Sequence, residues 1–105
     1  MTELQAIQNE VEADSVLFFK DSSEDIAHHV LALCGEVGEL ANMIKKMQRG
    51  DLKIDEEDTW YDMASEITDI FIYILSIASI AGMDMETFYG VKREFNYRRF
   101  VEDLG

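Results

Sequence analysis

Glu36 and Glu39, and again Glu66 and Asp69, are carboxylate pairs spaced three residues apart inside the two most apolar stretches of the chain. On a helix that spacing puts both members on neighbouring turns of one face. A carboxylate taken out of water without a partner loses several kcal/mol or takes up a proton. No Lys or Arg occurs between Ile26 and Met43 or between Asp58 and Val91. The residue types and their setting therefore point to a bound cation as the neutraliser.

Oxygen ligands of this kind suit Mg²⁺ or Mn²⁺ better than Zn²⁺. A di-iron centre in a helical bundle would call for Glu-x-x-His pairs, which the chain lacks. Magnesium usually keeps waters and shares its coordination with substrate phosphates, which leads to a nucleotide or pyrophosphate ester as ligand. In a chain with 22 acidic residues a single E-x-x-E pair is common on a solvated helix face, so the weight rests on there being two, each bordering apolar residues. Glu36 lies between Leu33 and Leu40, and Glu66 and Asp69 flank Ile67 and Ile70. If the two segments pack antiparallel, the four groups converge.

Four helices must position them, by apolar periodicity and cap signals. The first is expected from about Thr2 to Phe19, with Leu4, Ile7, Val11 and Leu17 or Phe18 facing inward. The second runs from about Glu24, capped by Ser22 or Ser23, to Gln48, with a stripe of Ile26, Val30, Leu33, Val37, Leu40, Ile44 and Met47. Lys45, Lys46, Arg49 and Gly50 mark its end. After a polar connection, 51–58, a third helix from about Thr59 to Ala81 is apolar nearly all round and so needs cover on several sides. Gly82 closes it, and Asp84 caps a fourth from about Met85 to Phe100, with Phe88, Val91 and Phe95 inward and Lys92, Arg93, Arg98 and Arg99 as a cationic cluster.

A chain of 105 residues without proline, 48% hydrophobic, reads as one all-α domain spanning 1–105, small enough that oligomerisation is expected to complete its core. The net charge of −13 opposes binding to nucleic acid or to an anionic membrane. The acidic N-terminal stretch does not resemble a secretory signal, and the low-charge run 70–83 is shorter than a bilayer span, so a cytoplasmic protein with no membrane association is expected. Cys34, the one cysteine, allows no internal disulfide and reads as a buried, inert thiol.

The chain resembles the MazG-like family of all-α nucleoside triphosphate pyrophosphohydrolases, which includes the dCTP pyrophosphatases. The family's E-E-x-x-E is matched by Gly35-Glu36-Val37-Gly38-Glu39, and its E-E-x-D by Ser65-Glu66-Ile67-Thr68-Asp69. The family's K-x-x-x-N-x-x-R is matched by Lys92, Asn96 and Arg99, so that the likeness covers about Leu31 to Arg99. The outer Glu of each doubled pair is replaced, by Gly35 and by Ser65, while the four inner carboxylates are intact.

The resemblance implies a four-helix MazG-like bundle completed by oligomerisation, as homodimer or homotetramer. It also implies Mg²⁺-dependent hydrolysis of (d)NTP to (d)NMP and pyrophosphate, a housecleaning of the nucleotide pool, with Mn²⁺ as a possible substitute. Glu36, Glu39, Glu66 and Asp69 would be the catalytic metal ligands, Lys92, Asn96 and Arg99 would contact the phosphates, and Tyr73 would lie against the nucleotide. Competing expectations are a related phosphohydrolase of dUTP or phosphoribosyl-ATP, and a non-catalytic acidic helical module that binds a partner protein. His28 and His29 are either nucleotide contacts or polar residues at the mouth of the bundle. Trp60 and Tyr61 stack on a base or belong to the core.

Overall fold

The structure, a computed structural model, describes residues 3–102. Its elements are α1 (Glu3–Phe19), a single 3₁₀ turn (Lys20–Ser22), α2 (Ile26–Gln48), α3 (Glu57–Ile80), α4 (Met85–Tyr97) and a π-helical turn (Arg98–Glu102). All regular structure among the described residues is helical, as the periodicity predicts. The start of the first helix expected at Thr2 lies outside the described residues.

The helix ends follow local chemistry, with two corrections. α2 is capped by Asp25, whose carboxylate accepts from the His28 N–H at 3.1 Å, and not by Ser22 or Ser23. Asp is as good a cap as Ser, and the 3₁₀ turn ends at Ser22, with Ser23 just beyond it. α3 begins at Glu57, two residues before Thr59, because Glu57 and Asp58 suit the positive end of the helix dipole. Gly50 (φ 84°) and Gly82 (φ 74°) take the left-handed conformation that ends α2 and α3. Asp84 caps α4 as expected, accepting from the Glu86 N–H at 3.0 Å, but the α-helical geometry gives way at Arg98 rather than running to Phe100.

α2 and α3 form the body of the fold. They pack on one another, and since residues 49–56 reach at most roughly 28 Å, less than the ~36 Å length of α3, they do so as an antiparallel hairpin. α1 packs on α3, and α4 packs only lightly on α1. The radius of gyration is 16.9 Å, against about 13 Å for a compact chain of this length, so the molecule is elongated.

Several side chains expected inside lie outside, for one reason: a single chain supplies too few helices to cover them. α4 has no buried residue, and its stripe of Phe88, Val91 and Phe95 is exposed. Ile67, Phe71, Ile72 and Ile74 of α3 and Ile26, Val30, Val37 and Ile44 of α2 are also exposed. Cys34 is exposed, on a part of α2 that no other helix covers, which corrects its reading as buried. On α1 the inward positions are Gln8, Val11 and Ser15, while Ile7, Leu17 and Phe18 face out.

Leu75, at 2% exposure, is the largest apolar side chain fully enclosed. Leu75→Ala is expected to lower stability by about 2–5 kcal/mol, since a cavity at this junction of helices has little to collapse into it. Urea denaturation of metal-free protein would measure it.

Candidate functional site

The antiparallel register of α2 and α3 decides which acidic groups meet. Oxygens of Glu36, Glu39 and Glu66 all lie within 4.8 Å of one another. Two helical turns further along the hairpin, the ring of His29 on α2 lies 6.1 Å from that of Tyr73 on α3. Glu36 with Glu66 and His29 with Tyr73 thus define one register, seven residues apart on both helices. It places Asp69 level with Leu33, one turn from the cluster towards Tyr73, so Asp69 borders the three-carboxylate group without belonging to it.

Glu66 lies on the inner side of the hairpin, and its Oε2 is shut off from solvent with no hydrogen-bond partner. Facing Glu36, then Glu39, it has its protonated form favoured, because only a protonated carboxyl can donate to them. Desolvation and like-charge repulsion act in the same direction, and the Glu66 carboxyl is raised from 4.5 to about 7. No cationic side chain enters the cluster among the described residues.

The site fits a divalent cation on three counts. The donor set is all carboxylate oxygen, with no sulfur or imidazole, which selects hard ions of the Mg²⁺ or Mn²⁺ type. An enclosed acceptor oxygen lacks a donor. The proton retained by Glu66 stands where a cation would relieve the same repulsion. A Cβ at Gly35 would meet nothing within 4 Å, so the side chain missing beside Glu36 is not excluded by packing.

Towards the aromatic end, Phe19, His28, His29 and Tyr73 form a contiguous group, with Phe19 and His29 rings 4.9 Å apart, edge to face. His29 is fully buried, which corrects its reading as a residue at the bundle mouth. Its Nδ1 lies 2.9 Å from the Asp25 carbonyl, an acceptor only, so Nδ1 carries the proton and Nε2 accepts from the Ser15 hydroxyl at 3.3 Å. His28 stays exposed on the same turn. Tyr73 is half-buried against Phe19 and His29, one turn beyond Asp69. Trp60 and Tyr61 are exposed, stacked edge to face at 5.0 Å, and form no part of the core.

The cations of α4 stand apart from the acid cluster. Lys92 Nζ lies 4.8 Å above the Phe95 ring, Arg99 is 4.8 Å above Phe100, and Arg98 pairs with Glu94 at 2.8 Å. Among the described residues no hydrogen bond or ion pair joins Lys92, Asn96 or Arg99 to Glu36, Glu39 or Glu66. The sequence reading missed Gln8 and Ser15, whose signal was their spacing: with Val11 between them they fall on one helical stripe, polar residues at inward positions.

An all-α hairpin carrying a three-carboxylate cluster between its helices is the class that fold and site define. The profile of the MazG nucleotide pyrophosphohydrolase domain matches residues 25–92, and the chain belongs to that family. The match begins at the cap of α2, takes in both acidic pairs and ends at Lys92. The chain is also similar to the Gene 37 protein of Mycobacterium phage L5, 30% identical over 85 residues, covering 81% of this chain and 73% of that protein. No solved structure is significantly similar. Family membership and the acidic cluster together make the domain one of a divalent-metal-dependent kind. Among the described residues α3 is the one helix long and apolar enough to cross a bilayer. It also carries Glu66 and Asp69 and is packed by both α1 and α2.

Proposed function

We propose that this protein hydrolyses nucleoside or deoxynucleoside triphosphates to the monophosphate and pyrophosphate, with Mg²⁺ bound at Glu36, Glu39 and Glu66 and completed by Asp69, and with Mn²⁺ able to substitute. The observation that carries the reading is the enclosed, unpartnered Oε2 of Glu66 between two further carboxylates, in a chain of this family. Bound there, the cation would supply charge neutralisation on the phosphate oxygens and on the departing pyrophosphate.

The remaining work falls to the chain. A water oxygen bonds to the α-phosphorus as the bond from that phosphorus to the bridging oxygen breaks, and the electron pair leaves with pyrophosphate. A carboxylate of the cluster takes the water's proton. Lys92, Asn96 and Arg99 hold the β- and γ-phosphates and oppose the charge that builds there. Tyr73, backed by Phe19 and His29, lies alongside the nucleoside. Because one chain leaves α4 and much of α3 uncovered, a homodimer or homotetramer is the working form. Such an enzyme clears nucleotides from a cytoplasmic pool.

The test is monophosphate and pyrophosphate release from the eight common NTPs and dNTPs, together with dUTP and phosphoribosyl-ATP, with Mg²⁺ or with EDTA. Magnesium-dependent release that Glu39→Gln and Asp69→Asn remove without loss of helicity is the expected result. Turnover confined to dUTP or phosphoribosyl-ATP would transfer the protein to a related phosphohydrolase. Silence from folded, metal-loaded protein would leave a non-catalytic helical module that binds a partner.

A further inference from the structure

α4 projects from the bundle, and its direction is set within the four-residue connection 81–84. Two of its fasteners belong to the turn itself. Gly82 makes the left-handed reversal, with the Met83 N–H donating to the Ala78 carbonyl at 2.8 Å. Asp84 caps α4, accepting from the Glu86 N–H and the Thr87 hydroxyl, each at 3.0 Å. The Asp84 contacts would travel with α4 if it swung about Gly82, so they do not fix its angle to the bundle.

A further fastener comes from outside. Gln8 of α1, 6% exposed, donates through Nε2 to the Ser79 hydroxyl at 3.1 Å and to the Met83 carbonyl at 2.8 Å, and accepts through Oε1 from the Met85 N–H at 3.1 Å. One amide thus ties the last turn of α3, the connecting turn and the first residue of α4 to α1. The residue type is dictated by the signs of its partners. An apolar side chain would leave the Met83 carbonyl and the Met85 N–H unpaired, and a carboxylate would set an acceptor against the Met83 carbonyl.

We propose that Gln8 is a positioning residue that fixes the direction of α4 and thereby where Lys92 and Asn96 are presented to polyphosphate. Leverage makes the point sensitive. Lys92 and Asn96 lie roughly 10 Å and 16 Å along the helix from Met85, so a swing of about 20° moves them by roughly 4 Å and 6 Å, beyond hydrogen-bonding reach. The kinetic consequence rests on the phosphate-binding reading of α4; the geometric one does not.

Two readouts separate these. Spin labels at the native, exposed Cys34 of α2 and at Tyr89→Cys on α4, in labelled chains diluted with unlabelled protein of the same variant, report the α2–α4 distance by pulsed dipolar spectroscopy. A narrow distribution is expected with Gln8 present, and a broad one in Gln8→Met. Ser79→Ala, which removes one bond and leaves both ties to the turn and to α4, should stay narrow. In unlabelled protein Gln8→Met should lower kcat/KM for the triphosphate about tenfold, the loss of about 1.4 kcal/mol of transition-state stabilisation, while the affinity for Mn²⁺ alone holds. Should Gln8→Met not fold, Gln8→Glu keeps the size and the acceptor to Met85 and loses the donor to Met83. An unchanged distance distribution overturns the positioning role. A broadened distribution with native kcat/KM overturns its link to phosphate binding, and broadening in a protein that turns over no triphosphate refutes the enzymatic reading while leaving the geometry standing.

Discussion

Glu66→Gln is expected to cut metal-dependent turnover by at least ~10²-fold, more than the 10- to 100-fold that loss of an outer-shell partner costs, and at the same time to make the metal-free protein more stable near neutral pH. The two effects share one cause. In the metal-free fold Glu66 keeps its proton up to about pH 7 because Glu36 and Glu39 face it, whereas in the unfolded chain it ionises at its ordinary 4.5. Between those values the folded state binds the extra proton, so stability falls as pH rises from about 4.5 to about 7. Glutamine imitates the protonated acid: it is neutral, and its amide can donate to the neighbouring carboxylates. The variant should therefore show a flat profile across this window and exceed the native protein at its upper end. Denaturant unfolding in EDTA at pH 5 and pH 8, beside a monophosphate assay, measures both. Native-level turnover in Glu66→Gln, or a pH slope that survives the substitution, would sink the assignment.

Magnesium affinity should rise with pH up to about 7 and level off above it. A cation seated between Glu36, Glu39 and Glu66 competes with the Glu66 proton, so below that pH each bound ion displaces close to one proton and the apparent affinity drops by about tenfold per pH unit. Calorimetric titration in buffers of different ionisation enthalpy counts the proton directly. No proton release at pH 6 would mean that the ion does not sit on Glu66. Asp69→Asn should weaken binding but keep the pH step, because Asp69 stands one turn away from the proton-sharing group.

What could be read in the sequence was what depends on the spacing within one helix. The i, i+3 carboxylates, the glycines at 50 and 82 and the cap at Asp84 all act over a turn or less, so their geometry is set by the residues themselves. What failed depends on neighbours. The stripe of Phe88, Val91 and Phe95 has the period of an inward face, yet none of the described residues covers it. Cys34 was misjudged for the same reason, since apolar neighbours in sequence do not guarantee cover in space. Asp69 separates from the cluster because the register between α2 and α3, which spacing along one helix cannot reveal, sets it opposite Leu33. On α1 the apolar residues drew attention from Gln8 and Ser15, whose bonds run to α3, the α3–α4 turn and His29.

The manner in which α1 is fastened sets the order in which the molecule comes apart. Its inward positions are an amide, a valine and a hydroxyl, and water can replace the bonds made by the first and the last. Peeling α1 away gives up those bonds and the Phe19 contacts with His29 and Tyr73, and it leaves the more extensively packed α2–α3 hairpin, with its carboxylates in register, standing as the more durable unit. The three clustered glutamates and α1 belong to separately opening layers, and the outer layer also carries the tether of α4.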